Sequence, residues 1–149
     1  MREIKFRAKP IEDVDFDEID VHISKNDFVY GNLLVDGNDA WIINGVVESD
    51  SEYIVIERWI PVRPETVGQF TGLHDKNGKE IYEGDMVMCG EKYPLTYEVF
   101  WHDGTIPLIN SNGYFVVWAV KIDKFEAEVD ASISRGVVIG NIHTKEQLK

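Results

Sequence analysis

Residues Gln69–Val87 read QFTGLHDKNGKEIYEGDMV, and the turns within them decide the fold. Asn77-Gly78 is the strongest short-range hairpin signal a chain can carry, because a tight type I′ turn needs two residues that tolerate φ > 0. The dipeptide predicts a two-residue loop joining strands near Leu73 and Ile81. Six residues on from Gly78, Gly84-Asp85 marks a second turn, after which Met86, Val87 and Met88 open another apolar run. The stretch holds no nucleophile, metal cluster or phosphate loop, so it reads as a structural module.

Strand patterns spread outward from it in both directions. Leu95, Tyr97, Val99 and Trp101 alternate with their neighbours, and His102-Asp103-Gly104 closes that run as a turn. Tyr114–Ile122 is almost wholly apolar, which predicts a central strand covered on both faces. Upstream, Tyr53–Ile60 is rich in β-branched and aromatic residues and gives the same expectation, with Trp59 and Trp118 largely buried. Pro61 and Pro64 then stiffen the chain, making 61–66 the candidate boundary between subdomains. Strand-like runs at Phe28–Val35 and Ala40–Val47 flank Asp36-Gly37-Asn38-Asp39, a hairpin turn.

Near the N-terminus Ile4, Phe6 and Ala8 alternate with Lys5, Arg7 and Lys9, which predicts a strand with one wet, basic face. From Asp13 the alternation acid–Val14–acid–Phe16–acid slips by one residue at Glu18 and resumes with Ile19, Val21 and Ile23. That slip predicts one bulged strand or two short ones, with carboxylates on the solvent side. Helix is scarce. Phe125, Val129 and Ile133 share helical spacing within Lys124–Ile133, and Thr144–Gln147 matches a capping box.

Length and composition narrow the classes. The 149 residues suit one domain, with 1–64 (acidic) and 65–149 as subdomains. A single cysteine, Cys89, excludes an internal disulfide and suits a reducing compartment. No apolar run reaches the roughly 20 residues needed to span a bilayer, so a cytoplasmic protein with no membrane partner is expected. Net charge is −12, and residues 1–60 carry 14 acids against 6 bases. Such a surface repels phosphates, which argues against direct nucleic-acid binding.

Chemistry-bearing constellations are weak throughout. His22, His74, His102 and His143 are widely spaced, none with a second ligand at metal-site spacing. Cys89 sits in a strand-like run without an activating signature and reads as a small buried hydrophobe. No GxGxxG or GxxxxGK[ST] phosphate loop exists. The expectation is a protein that is not an enzyme, with no catalytic residue, metal or cofactor. The candidate partner-binding feature is the acidic face made by Asp13, Asp15, Asp17, Glu18 and Asp20.

Three blocks, Arg2–Ala8 (REIKFRA), Val67–Val87 (VGQFTGLHDKNGKEIYEGDMV) and Val138–Leu148 (VIGNIHTKEQL), resemble in content, order and spacing the YopX family of phage and prophage proteins. Two departures stand out: Lys9-Pro10 follows the first block, where the family often has a tryptophan and an acid. His143-Thr144-Lys145 stands where an aromatic and Asn-Pro are common. The resemblance implies a small, mainly β protein with a barrel-like core, and no functional residue to carry over. The expected fold is therefore mainly β, an irregular barrel with an SH3-like C-terminal half and one or two short helices. The expected role is that of a phage or prophage accessory protein in the bacterial cytoplasm, binding protein partners through strand edges or the acidic face, as a homo-oligomer or alone. The alternative is an acidic decoy that presents carboxylates where a host DNA- or RNA-binding protein expects phosphates.

Overall fold

Short polar turns between β-branched runs produce thirteen strands among the described residues, with helical structure confined to short turns. The computed structural model describes residues 3–16, 21–90, 92, 95–101, 118–122, 125–128 and 135–143. The chain divides into two compact units, residues 1–69 and 70–149.

In the first unit β1 (Phe6–Ala8), β4 (Val29–Asp36), β5 (Asp39–Ser49) and β6 (Ile54–Val62) form an antiparallel sheet in the order β6-β5-β4-β1. The head of β7 (Gly68–His74) adds to β1 through Gln69 opposite Phe6 and Gly68 opposite Arg7. The expected turn at Asp36–Asp39 is a tight loop, with Asp36 and Asp39 as the last facing pair. Ala8, Val29, Ala40, Ile42, Ile60 and Val62 are all at most 5% exposed and form the core. A separate hairpin of β2 (Val14–Phe16) and β3 (Val21–Ile23) lays Val14, Phe16 and Ile23 on that core, so the slip at residues 17–18 separates two short paired strands. A single 3₁₀ turn, Pro64–Thr66, follows β6.

In the second unit β7 continues into a hairpin with β8 (Glu80–Tyr82). A five-stranded antiparallel sheet follows in the order β12-β11-β10-β9-β13, from β9 (Asp85–Cys89), β10 (Leu95–Trp101), β11 (Trp118–Ile122), β12 (Phe125–Glu128) and β13 (Val137–Asn141). Its core is Ile81, Val87 and Val99, with Leu73, Cys89, Tyr97 and Val138 packed around them.

The β7–β8 loop is longer than the dipeptide predicts. Asp75 N–H donates to Lys79 O at 2.7 Å and Gly78 N–H to Asp75 O at 3.0 Å, enclosing a three-residue loop of Lys76, Asn77 and Gly78. Gly78 takes the left-handed position at φ 84°, the G1-bulge arrangement of such loops. Open space surrounds the site where a side chain would sit, so only backbone strain opposes substitution. Gly78→Val is expected to lower stability by about 1–2 kcal/mol, measured as a shift in the urea midpoint. An unchanged midpoint would contradict the loop geometry.

Several expectations are corrected. Among the described residues no barrel closes: each sheet is an open ladder with distinct end strands. Tyr53–Ile60 is not a central strand. It lies in β6 at a sheet end, where Pro61, lacking an N–H, is tolerated, and Trp59 is 61% exposed. The basic face of β1 is not wet. Arg7 and Lys9 are 4% and 3% exposed, and both cations lie over the Phe28 ring at 4.1 and 5.2 Å from its centroid. Phe125–Glu128, expected to begin a helix, pairs as β12 with β11, because cross-strand bonds outweigh a three-residue helical spacing. Within Tyr114–Ile122 the described part, β11, does have neighbours on both sides; the Trp118 side chain, the turn at 102–104 and residues 144–147 lie outside the described residues.

Candidate interaction surfaces

The predicted acidic face begins on the β2–β3 hairpin. Because Val14 and Phe16 turn to the core, Asp15 and its cross-strand partner His22 turn to solvent. His22 Nδ1 and Asp15 Oδ1 are 2.6 Å apart. The hydrogen bond to Asp15, then its charge, raise the imidazole pKa above its ordinary value; desolvation opposes this, and Asp13 and Asp27 add to it. Asp13 is exposed as well, and its Oδ1 accepts the Lys25 N–H at 2.8 Å. Both described acids thus share in holding the hairpin. Asp17, Glu18 and Asp20 lie outside the described residues.

A second surface arises because β5 and β6 outrun β4. Pairing of β4 with β5 ends at Asn32 opposite Ile43, whereas β5 and β6 continue through Asn44–Arg58 and Val46–Ile56 to Ser49–Ile54. Beyond Ile43 the hairpin is a two-stranded ribbon among the described residues, and two strands cannot bury both of their own faces. Val46, Val47 and Ile54 are 58%, 66% and 63% exposed, with Tyr53 and Val55 close behind. The tip is nevertheless well tied. The Asp50 carboxylate accepts the Glu52 and Tyr53 N–H groups at 2.7 and 3.1 Å, and Tyr53 OH donates to Glu48 at 2.7 Å. An ordered element that leaves several β-branched residues in water is a candidate contact surface. Sequence reasoning did not place these residues in water: an unbroken apolar run reads as a buried strand, and nothing local shows where a third strand ends.

The most strongly held charge is structural. Asp75, 6% exposed, opens the β7–β8 loop. Its Oδ1 accepts the Asn77 and Lys79 N–H groups at 2.8 and 2.9 Å, and its Oδ2 accepts the Val138 N–H of β13 at 3.0 Å. Burial by itself would push this carboxyl up; the N–H groups of Val138, Lys79 and Asn77 and the Lys79 charge together hold it below the usual carboxylate range. Close by, Lys76 N–H donates to Gly136 O at 2.9 Å, and Ile142 N–H to Gly84 O at 2.8 Å. Gly84 has φ 90° and Tyr82 N–H donates to Asp85 Oδ2 at 2.8 Å, so the Gly84-Asp85 turn carries the chain from β8 into β9. Among the described residues no three His, Cys, Asp or Glu side chains group as metal ligands.

The family model described as YopX protein matches residues 5–148. The chain belongs to the YopX family. A crystal structure of protein EF1440 from Enterococcus faecalis is similar over 99% of each chain, with a TM-score of 0.52 at 22% identity, a likeness of fold. No curated protein matches the sequence. Among the described residues no helix is long and apolar enough to cross a membrane.

The three YopX-like blocks are adjacent in structure as well as in likeness. Phe6 and Arg7 of the first pair with Gln69 and Gly68 of the second, and the β13 residues of the third pair with the β9 residues of the second, from Val138 opposite Val87 to Asn141 opposite Asp85. Asp75, Gly78, Gly84 and Asp85 are there to shape backbone and to receive its N–H groups. The motif of this YopX chain is therefore accounted for by folding.

Proposed function

We propose that this YopX protein is a non-enzymatic phage or prophage accessory protein that works by protein–protein contact in the bacterial cytoplasm. The observation that carries this reading is the β5–β6 ribbon, where Val46, Val47, Ile54 and Val55 stand in water on an ordered hairpin. Ordering a ribbon that buries so little is accounted for when a partner covers it. An SH3-like comparison for residues 65–149 belongs to the same reading, supported by the short antiparallel strands β8 to β13. The acidic-decoy alternative has less to rest on, since Asp13 and Asp15 are engaged by Lys25 and His22 within the hairpin.

The test replaces Val46, Val47, Ile54 and Val55 together with threonine, which preserves β-branching and so the strand. Capture of host proteins from lysate should fall by at least about tenfold relative to wild type, a loss of roughly 1.4 kcal/mol. Thermal stability should change little, as exposed substitutions usually do. Undiminished capture of the same proteins would overturn the ribbon as the contact surface.

A further inference from the structure

We propose that Asn77 is a site of spontaneous deamidation, and that the hydrogen bonds around Asp75, rather than solvent exposure, set how fast it reacts. The modification needs no partner, and it changes the β7–β8 loop in one direction only.

The residues supply the chemistry. In an Asn-Gly pair the following backbone nitrogen reaches the side-chain carbonyl most easily, because glycine has no Cβ in the way. The Gly78 nitrogen bonds to Asn77 Cγ, the Cγ–Nδ2 bond breaks, and ammonia leaves with the proton that Gly78 gives up. Water then opens the cyclic imide. Breaking its bond at Cγ leaves an ordinary aspartate; breaking it at the main-chain carbonyl leaves an isoaspartate, whose backbone runs through Cβ and Cγ. Asn77 and Gly78 are both exposed, and the space beside Gly78 is open. Among the described residues nothing hydrogen-bonds the Asn77 carboxamide.

Exposure alone would make this a fast site, but the loop holds it back. The nucleophile is engaged, since Gly78 N–H donates to Asp75 O at 3.0 Å. Asn77 is pinned as well, its own N–H donating to Asp75 Oδ1 at 2.8 Å. Lys79 N–H reaches the same oxygen at 2.9 Å, and Lys76 N–H donates to Gly136 O at 2.9 Å. Residues 76–79 are thus fixed at every backbone N–H, and Gly78 cannot turn its nitrogen on Asn77 Cγ until the Asp75 clasp opens. The observed rate is then the intrinsic rate scaled down by the small fraction of time the loop is open. After reaction a carboxylate stands beside the buried Asp75, and isoaspartate adds one carbon to the main chain inside a three-residue loop. Both products oppose reclosing, which weakens the tie from Asp75 to Val138.

Peptide mapping by mass spectrometry of the full chain incubated at neutral pH tests this, with the same chain unfolded in urea as reference. Asn77 should convert at least about tenfold more slowly folded than unfolded, and Asp75→Asn should raise the folded rate at least about fivefold. Asn44-Gly45, within the β5–β6 ladder of the other unit, is the internal control and should keep its wild-type rate in that variant. Chains converted at residue 77 alone should unfold at lower urea than intact ones. No conversion in the unfolded chain would remove Asn77 as a site. Equal Asn77 rates folded and unfolded would overturn control by the clasp, as would a folded Asp75→Asn chain with no gain in rate. Should Asp75→Asn unfold the chain outright, seen as equal gains at Asn44 and Asn77, hydrogen exchange in the wild type decides. Deamidation slowed at least as much as Gly78 amide exchange upholds the clasp. Deamidation slowed less than that, or a Gly78 amide exchanging as in the unfolded chain, overturns it. Equal urea midpoints for converted and intact chains would overturn the structural consequence.

Discussion

Asp75→Ala is expected to lower the unfolding free energy by about 3–4 kcal/mol, because it strands backbone donors that the carboxylate now satisfies. Its oxygens accept from Asn77, Lys79 and Val138, joining the β7–β8 loop to β13 across 63 residues of sequence. Asp75→Asn keeps one acceptor oxygen but turns an NH₂ group toward the remaining amides, so a smaller loss of about 1–2 kcal/mol is expected. The pH dependence has a definite sign. The folded pKa of Asp75 is lowered, so the unfolded chain binds the proton more readily. This contribution is full above the unfolded carboxylate value of about 3.9 and is lost as pH falls through the lower folded value. Urea titrations at a series of acidic pH values should therefore show a shallower decline for Asp75→Asn below about pH 4. Equal stability and an equal acid slope in wild type and variant would remove Asp75 from the role described.

Much of the strand pattern was legible because it is written locally. The alternation of Leu95–Trp101 became β10, and Asp36–Asp39 became a tight turn, each requiring only period two or turn chemistry. Burial was legible only in part, since it depends on what other segments do. Arg7 and Lys9 read as solvent residues by type, yet the Phe28 ring, 19 or more residues away in sequence, receives both cations. Asp75 looks like one more loop acid until β13 brings Val138 to it. Of the candidate acidic face, Asp13 and Asp15 are exposed as the alternation predicts. Their ties to Lys25 and His22 were not foreseeable, because the pairing of β2 with β3 sets them.

The contrast between Ile42 and Trp59 shows what one strand's worth of cover is worth. Ile42→Ala is expected to cost about 2–5 kcal/mol, since Ile42 is fully buried among Ala8, Val29, Ala40, Ile60 and Val62. Trp59→Ala should cost only about 1 kcal/mol or less, despite deleting a far larger side chain. Trp59 faces Ile43 across β5, and its outer side meets water, being 61% exposed. Urea unfolding of both variants, with the slope compared to wild type, separates the two sites. A loss at Trp59 as large as that at Ile42 would mean that something covers the ring in the native protein. Were that loss to vanish on dilution, the cover would be a second copy. A loss independent of concentration would instead place the cover of the Trp59 ring within the chain.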